Sequence, residues 1–195
     1  MTLQPRMDPP EIEYFEQLMK NKLPGTKMVE WGSGGSTAMF VPHFTTGRFI
    51  SIEHNPDWYE KVRTEIVRGE KYSAACMDNF VYIHKPPMFN GHVVNQNFYG
   101  YGVPFEENPC FAGSYIDPTC DPFCPNIWDS DIYFVDGICR GAILATIFMK
   151  AKNRDAHVYI HDYFGPEQRE PWYIWASCMY NRVDQIGTTL ARLYL

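Results

Sequence analysis

Three side chains that could activate a hydroxyl group follow apolar segments in the second half of the chain. Asp136 follows the segment DIYFV, and His161 and Asp162 follow HVYI. A carboxylate or an imidazole can act as a general base toward a hydroxyl. A divalent cation, Mg²⁺ or Mn²⁺, held by Asp136 and Asp162 could acidify the hydroxyl instead. We predict the route without a metal, because no third oxygen ligand is evident in the sequence.

A glycine-rich run, EWGSGGST at residues 30–37, lies in the first half of the chain. Glycines let the backbone turn sharply and approach a ligand, and the first turn of a helix offers unpaired N–H donors. The run does not fit the dinucleotide-binding fingerprint, because Thr37 stands where its third glycine would be. It does not fit a phosphate-binding P-loop either, because no Lys follows the last glycine.

An acid stands at the end of the next apolar segment, RFISIE, which finishes with Glu53. A carboxylate at the end of the second strand of such a unit can accept hydrogen bonds from both hydroxyls of a nucleoside ribose. The glycine run and Glu53 together therefore predict a ligand that contains a nucleoside.

The elements that would position these residues alternate along the chain. Apolar periodicity, with Asp8 as a helix cap and Pro9 in the first turn, predicts a first helix. Strands are predicted at 27–31, 48–53, 79–84, 131–136, 156–162, 180–187 and 188–195, and helices at 8–23, 36–44, 55–66, 138–150 and 168–179. Strands that alternate with helices indicate an α/β fold with an open, doubly wound sheet, which the last two strands finish as a pair.

One segment, at about residues 86–129, interrupts the alternation within what we expect to be a single domain spanning residues 1–195. Its Phe89–Trp128 part holds nine aromatic residues and no Lys or Arg. Long loops are usually functional or disordered, and disordered segments are poor in aromatic residues. We predict an ordered lid or binding loop, with a packed structural excursion as the alternative.

Composition makes several classes of function less favoured, without excluding a nucleic-acid enzyme. The net charge of −6 gives no electrostatic source for nucleic-acid binding. The longest apolar run, Ala142–Met149, is too short to span a membrane, and the opening residues do not resemble a signal peptide. The six cysteines lack the paired C-x-x-C spacing of a zinc site, so we expect reduced thiols in a cytoplasmic protein. The oligomeric state stays open.

The glycine run, Glu53, the strand order and the paired ending together resemble class I S-adenosylmethionine-dependent methyltransferases. Their glycine motif has the form E-x-G-x-G, and their second strand ends in an acid. The resemblance covers nearly the whole chain. It implies a Rossmann-like, mostly parallel seven-stranded sheet with a terminal antiparallel hairpin and helices on both faces. It also implies S-adenosylmethionine as the cofactor and methyl transfer as the reaction.

Carried over position by position, the resemblance assigns cofactor contacts to eight residues. Ser36 and Thr37 would bind the carboxylate of the cofactor, and Glu53 would hold the ribose. The adenine contact would fall near Ile83 and His84. The full set is Glu30, Gly32, Ser33, Gly34, Ser36, Thr37, Glu53 and His54.

The acids after the fourth and fifth strands also resemble the metal-binding acids of catechol-type O-methyltransferases. Asp136 and Asp162 occupy the matching positions. That family follows its second acid with Asn, whereas Tyr163 stands here. The residues Asp136, His161 and Asp162 are therefore predicted as catalytic groups, and the metal site stays the alternative.

A narrower resemblance concerns the acceptor. The VDG and HDY motifs, with Arg169 and Tyr173, look like small O-methyltransferases of sugars, including plant glucuronoxylan methyltransferases and algal-virus glycan rhamnose methyltransferases. A glycan hydroxyl is therefore the expected acceptor, since aromatic rings suit the C–H faces of neutral sugars. An O-methyltransferase of a small aromatic or other metabolite, and a catalytically inactive cofactor-binding protein, remain alternatives. The expected acceptor-binding residues are Tyr99, Tyr101, Tyr115, Tyr163 and Arg169.

Overall fold

The computed structural model describes residues 3–67, 72–86, 88–89, 92–93, 115–164 and 171–195. The strands are β1 (Lys27–Trp31), β2 (Arg48–Glu53), β3 (Phe80–His84), β4 (Met88–Phe89), β5 (His92–Val93), β6 (Ile132–Val135), β7 (His157–Ile160), β8 (Arg182–Ile186) and β9 (Leu190–Tyr194). The helices are α1 (Pro9–Asn21), α2 (Gly35–Phe40), α3 (Pro56–Ile66), α4 (Ala74–Asp78), α5 (Arg140–Lys150) and α6 (Pro171–Ser177). Within these ranges, no helix has the length and apolar character that a membrane crossing requires.

The main sheet has seven strands in the order β3-β2-β1-β6-β7-β9-β8. The first five of these are parallel to one another, and β9 is antiparallel to both β7 and β8. Strands β4 and β5 form a separate antiparallel pair. The predicted α/β class, the mostly parallel seven-stranded sheet and the terminal hairpin are therefore confirmed.

The strands that the sequence predicts as buried carry apolar residues on both faces, because helices or other segments cover each side. Along β1, Met28 belongs to the layer that includes α1, α2, α3 and α4. Val29 and Trp31 belong to the opposite layer, with α5 and α6. The sheet is thus covered on both sides, as the doubly wound prediction requires.

The described end of the predicted insertion, residues 115–128, packs into the core. Tyr115, Ile127 and Trp128 are almost completely buried beside Trp31 of β1. The indole Nε1 of Trp31 donates a hydrogen bond to the carbonyl of Tyr115 at 2.9 Å. This part of the insertion packs against β1 through its apolar side chains, and the choice between a lid or binding loop and a packed excursion stays a prediction for the segment as a whole. Residues 94–114 lie outside the described part of the chain.

Three small elements were not predicted from the sequence. Helix α4 has five residues, and the strands β4 and β5 have two residues each. Such short segments do not contain enough residues for a periodic apolar pattern. Their absence from the prediction leaves the topology of the main sheet unchanged.

Helix α1 is tied to the turn between β8 and β9 through its first residues. Asp8 and Glu11 form the reciprocal capping box that the sequence suggests. The Glu11 carboxylate is fully buried and accepts hydrogen bonds from the main-chain N–H groups of Thr189 and Leu190, at 2.7 and 2.8 Å. Asp8 accepts a bond from the N–H of Thr188 at 2.7 Å. The start of the chain is therefore fixed to its end.

Removal of this buried carboxylate should destabilise the fold strongly. We expect Glu11→Ala to lower the free energy of unfolding by about 3 kcal/mol, because several buried N–H groups lose their acceptor. The matched variant Glu13→Ala, at an exposed position of the same helix, should change it by less than about 0.5 kcal/mol. Urea denaturation measures both values. Equal effects of the two variants would show that the Glu11 bonds do not stabilise the fold.

Candidate active site

The loop after β1 lies against the end of β6. Gly32 has a positive φ of 88°, which favours glycine. A Cβ atom at Gly32 would lie 2.5 Å from the nitrogen of Gly137 and 2.7 Å from the carbonyl carbon of Asp136. Only a residue without a side chain permits this approach. The glycine loop and Asp136 therefore meet at the carboxyl edge of the sheet, where the sequence analysis expected them.

Glu30 lies beneath the glycine loop and is completely buried. Its Oε1 accepts a hydrogen bond from Ser36 Oγ at 2.6 Å. Its Oε2 accepts bonds from Thr37 Oγ1 at 2.7 Å and from Ser51 Oγ at 2.6 Å. The hydroxyls of Ser36 and Thr37, predicted to bind the cofactor carboxylate, are thus directed at Glu30. A buried carboxylate needs such donors. These three hydrogen bonds join β1, β2 and the start of α2.

The environment of Glu30 changes its protonation. Burial raises the pKa of Glu30 to about 7, from an ordinary value of 4.5. The hydroxyls of Ser36, Ser51 and Thr37 favour the charged form and lower the pKa, but burial has the larger effect. The group beneath the glycine loop therefore titrates near neutral pH.

Glu53 is also buried, with an exposed fraction of 2%. Its Oε2 accepts bonds from the N–H and the hydroxyl of Ser33, at 2.8 and 2.9 Å. Its Oε1 accepts bonds from the N–H groups of His54 and Asn55, at 2.9 and 2.8 Å. Burial alone would raise the pKa of Glu53, but hydrogen bonds, above all from His54, lower it overall. The carboxylate is already supplied with donors, and the ribose contact stays a prediction.

Aromatic side chains that the sequence analysis did not assign flank this carboxylate. The Tyr82 hydroxyl lies 2.6 Å from Ser33 Oγ. The ring of Tyr59 stacks on Tyr82, with a centroid distance of 4.4 Å, and on His84 at 5.1 Å. Residues 82 and 84 share one face of β3 by strand alternation, and this signal was available in the sequence. The region expected near adenine thus has an aromatic surface.

Tyr115 occupies the space between the ends of β2 and β6. Its hydroxyl would lie 1.9 Å from a Cβ atom at Gly137, and its ring contacts His54 edge to face at 5.3 Å. Within the described residues this buried hydroxyl has no hydrogen-bond partner. Burial raises the pKa of Tyr115 well above its usual value. Tyr115, predicted as an acceptor-binding residue, lies beside His54, one of the expected cofactor positions, and its contact with the acceptor stays a prediction.

The three predicted catalytic residues come together at the ends of β6 and β7. His161 Nδ1 lies 3.1 Å from Asp136 Oδ1 and 3.3 Å from Asp162 Oδ1. On the other side of the ring, Nε2 lies 3.4 Å from Glu11 Oε2. One ligand atom from each of Asp136, His161 and Asp162 can be chosen so that all lie within 4.8 Å of one another.

Arg140, at the start of α5, adds a second positive group to this cluster. Its guanidinium lies 3.0 Å from Asp162 Oδ2 and 3.4 Å from Asp136 Oδ1. The sequence analysis missed Arg140, although its position four residues after Asp136 at a helix start was a usable signal. Asp162 has a positive φ of 57°, in the left-handed region that few residues other than glycine adopt and that Asp tolerates better than most.

The charges in the cluster raise the pKa of its imidazole and lower the pKa of one of its carboxylates. Burial opposes protonation of His161, but the bonds to Asp136 and Asp162 raise its pKa to about 10. Burial opposes ionisation of Asp162, but His161 and Arg140 lower its pKa to about 2. The imidazole is therefore a cation at neutral pH and cannot accept a proton.

Tyr163 is another predicted acceptor-binding residue, and its described contacts are with α6 and Thr189. The Tyr163 hydroxyl lies 2.7 Å from Ser177 Oγ, and its N–H donates to the carbonyl of Thr189 at 2.8 Å. These contacts join the end of β7 to α6 and β9. Tyr99, Tyr101 and Arg169 lie outside the described residues, so their acceptor contacts stay predictions.

A cavity of about 400 Å³ lies over the glycine loop. The N-terminal segment, residues 3–7, forms one wall, and the sequence analysis did not anticipate this. Two cationic side chains, Arg6 and Lys61, reach the cavity. The lining comprises Leu3, Gln4, Arg6, Met7, Ser33, Gly34, Gly35, Ser36, Trp58, Lys61 and Asp136.

No protein-family model and no curated protein matches the sequence. Solved structures are similar to the fold. A methyltransferase-like protein from Silicibacter pomeroyi DSS-3 is 16% identical, with a TM-score of 0.67 over 99% of this chain and 88% of that chain. A methyltransferase from Geobacter sulfurreducens is 14% identical, with a TM-score of 0.56 over 96% and 79%. A precorrin-6Y C5,15-methyltransferase from Geobacter metallireducens GS-15 is 10% identical, with a TM-score of 0.56 over 97% and 90%. The chain has the Rossmann-like fold of class I methyltransferases.

The raised pKa of Glu30 should make stability depend on pH. Between pH 4.5 and 6.5 the folded state keeps a proton that the unfolded chain has lost, so the free energy of unfolding falls as pH rises. We expect the wild type to lose about 2–3 kcal/mol more than Glu30→Gln across this range.

Urea denaturation at pH 4.5, 5.5 and 6.5 measures this difference. The raised pKa of His161 affects stability only above about pH 6.5, outside the range chosen. Glu13→Gln, at an exposed position, is the control and should follow the wild type. Parallel pH profiles for the wild type and Glu30→Gln would contradict a raised pKa at Glu30.

Proposed function

We propose that the protein is an S-adenosylmethionine-dependent methyltransferase that acts on a hydroxyl group of a sugar. The observation that carries the proposal is the meeting of the glycine loop with Asp136 and Gly137 beside Glu53. In the strand order β2-β1-β6 this is the point where the direction of chain connection reverses. Ligands of open α/β sheets bind at such points, beyond the carboxyl ends of the strands.

In this proposal the glycine loop and Glu53 hold the cofactor. The main chain at Gly32, Ser33 and Gly34 faces the methionine part, and Glu53, with His54 beside it, holds the ribose hydroxyls. The Ser33 hydroxyl donates to Glu53 in the structure, and the ribose hydroxyls take its place as donors when the cofactor binds. Glu30, with Ser36 and Thr37, positions the loop from below.

Asp136 is the proposed general base. Asp162 is held by Arg140 with a pKa of about 2, and His161 is already protonated. Asp136 lines the cavity and is 26% exposed, so an acceptor can approach it. His161 and Arg140 contact Asp136 Oδ1 and act as positioning residues. With S-adenosylmethionine bound, Asp136 would accept the proton of the acceptor hydroxyl while the methyl group passes from the sulfur of the cofactor to the hydroxyl oxygen, which would leave S-adenosylhomocysteine as the product.

The alternative divalent cation does not fit the side chains at this edge. Asp136 and Asp162 would have to supply its oxygen ligands. In the structure a guanidinium contacts both carboxylates, and the neighbouring imidazole is cationic. A metal would have to displace Arg140 and lie beside the charge of His161. We therefore propose catalysis without a metal.

A neutral sugar is the proposed acceptor, on the evidence of the sequence motifs and the aromatic insertion without Lys or Arg. The expected absence of nucleic-acid partners and the cytoplasmic location stay predictions. Assays with labelled cofactor and panels of oligosaccharides and of aromatic alcohols distinguish a sugar acceptor from a small aromatic one. Cofactor binding without turnover on either panel would favour an inactive cofactor-binding protein.

Loss of the Glu53 carboxylate should weaken cofactor binding. We expect Glu53→Ala to reduce the affinity for S-adenosylhomocysteine by about 1.5–3 kcal/mol, roughly 10- to 150-fold, because charge-assisted hydrogen bonds are lost. Isothermal calorimetry measures the change, and Glu13→Ala, at an exposed site, should leave affinity unchanged. Unchanged affinity in Glu53→Ala would remove Glu53 from the site. A wild-type protein that binds neither the cofactor nor its product would overturn the proposed function.

Loss of the base should slow the reaction and spare binding. We expect Asp136→Asn to lower turnover about 10²- to 10⁴-fold, the usual effect of losing a general base. Calorimetry should give an affinity for S-adenosylhomocysteine close to that of the wild type. Asp155→Asn, at an exposed position, is the control.

Turnover after EDTA treatment, with and without added Mg²⁺ or Mn²⁺, tests the route in the same assay. Complete loss with full rescue would overturn the metal-free mechanism. Normal turnover by Asp136→Asn would show that Asp136 is not the base.

A further inference from the structure

We infer that the N-terminal segment, residues 3–7, is part of the cofactor site, and that Arg6 and Lys61 bind the carboxylate at the amino-acid end of the cofactor. This inference rests on the proposed function and adds residues that neither the glycine motif nor the strand ends contain. Ser36 and Thr37, the residues predicted to bind that carboxylate, are bonded to Glu30 through their hydroxyls, so other groups have to bind it.

The N-terminal segment lies directly on the glycine loop. A Cβ atom at Gly35 would lie 2.0 Å from the carbonyl carbon and oxygen of Gln4 and 2.2 Å from the nitrogen of Pro5. Glycine at position 35 therefore permits the main chain of the segment to contact the loop. The residues that follow the segment, Asp8 and Glu11, are bonded to the β8–β9 turn, which fixes its exit.

The cavity between the segment and the loop presents two positive side chains. Trp58 of α3 donates from Nε1 to the carbonyl of Ser33 at 2.5 Å, and Lys61 Nζ lies 4.0 Å from the centroid of the Trp58 ring. Lys61 is thus placed by a cation–π contact. Arg6 reaches the same cavity from the segment. The two cations approach the loop from different elements.

The charges of this cavity are not balanced within the described residues. Arg6 and Lys61 form no ion pair with any described carboxylate. Asp136, the acid of the lining, already contacts His161 and Arg140. An anionic group of a ligand would therefore find two cations that are not ion-paired with a described carboxylate, and Arg can bind a carboxylate through two N–H groups.

The side-chain hydroxyls of the loop are committed elsewhere. Ser36 and Thr37 donate their hydroxyl protons to Glu30, at 2.6 and 2.7 Å. These two hydroxyls are therefore not available as donors to the carboxylate expected beside the glycine loop, and a nearby cation can take that part. Arg6 and Lys61 are the cations that line the cavity there.

A carboxylate could also come from an acidic acceptor, and ligand comparison separates the two sources. S-adenosylhomocysteine carries the amino-acid end, whereas 5′-methylthioadenosine has the same nucleoside and lacks that end. We expect the double variant Arg6→Gln, Lys61→Met to bind S-adenosylhomocysteine about 10- to 100-fold more weakly. Its affinity for 5′-methylthioadenosine should change less than twofold.

Isothermal calorimetry on the full chain measures both affinities. The control double variant Arg154→Gln, Lys152→Met removes two exposed cations elsewhere and should bind both ligands like the wild type. Equal losses for the two ligands, or no loss for either, would overturn the inference. Unchanged binding of S-adenosylhomocysteine with a raised KM for an acidic acceptor would assign the cations to the acceptor and also overturn it. A wild-type protein that binds neither nucleoside would refute the proposed function itself.

Discussion

The buried carboxylate of Glu30 is the constraint on which the site depends. A buried carboxyl group is stable only with its hydrogen bonds supplied, and here Ser36, Thr37 and Ser51 supply them. These donors come from two elements that flank β1, so satisfying the carboxylate also fixes where α2 begins and how the glycine loop turns. Gly32 can approach β6 because the loop is held in this one path.

A second group of charges joins the two ends of the chain to the middle of the sheet. Three carboxylates, of Glu11, Asp136 and Asp162, surround the cations of His161 and Arg140. Glu11 belongs to the first helix and also accepts the N–H groups at the start of β9. Asp136, the acid at the end of β6, is consequently oriented by residues from α1, α5 and the end of β7. Its orientation therefore depends on elements from the whole length of the chain.

Strand and helix order could be predicted from the sequence, since apolar runs and the caps at Asp8 and Asn55 are local signals. The meeting of Asp136, His161 and Asp162 was also predictable, because carboxyl ends of parallel strands share one edge. The inward direction of Ser36 and Thr37 was not, since it depends on the buried Glu30 beneath them. The N-terminal segment escaped because its contact with the glycine loop joins residues far apart in sequence. Arg140 follows Asp136 by only four residues, so its place in the site could have been predicted.

The position of Tyr115 limits the affinity of a ligand that binds at this edge of the sheet. Its carbonyl is fixed by Trp31, whereas its ring fills the space between His54 and Gly137. A ligand that approached Glu53 from this side would have to displace the ring of Tyr115. Exposing a buried aromatic ring costs about 2 kcal/mol, or roughly a 30-fold loss of apparent affinity. A ligand contact with Glu53 on this side would therefore carry that cost, which the burial of one ring sets.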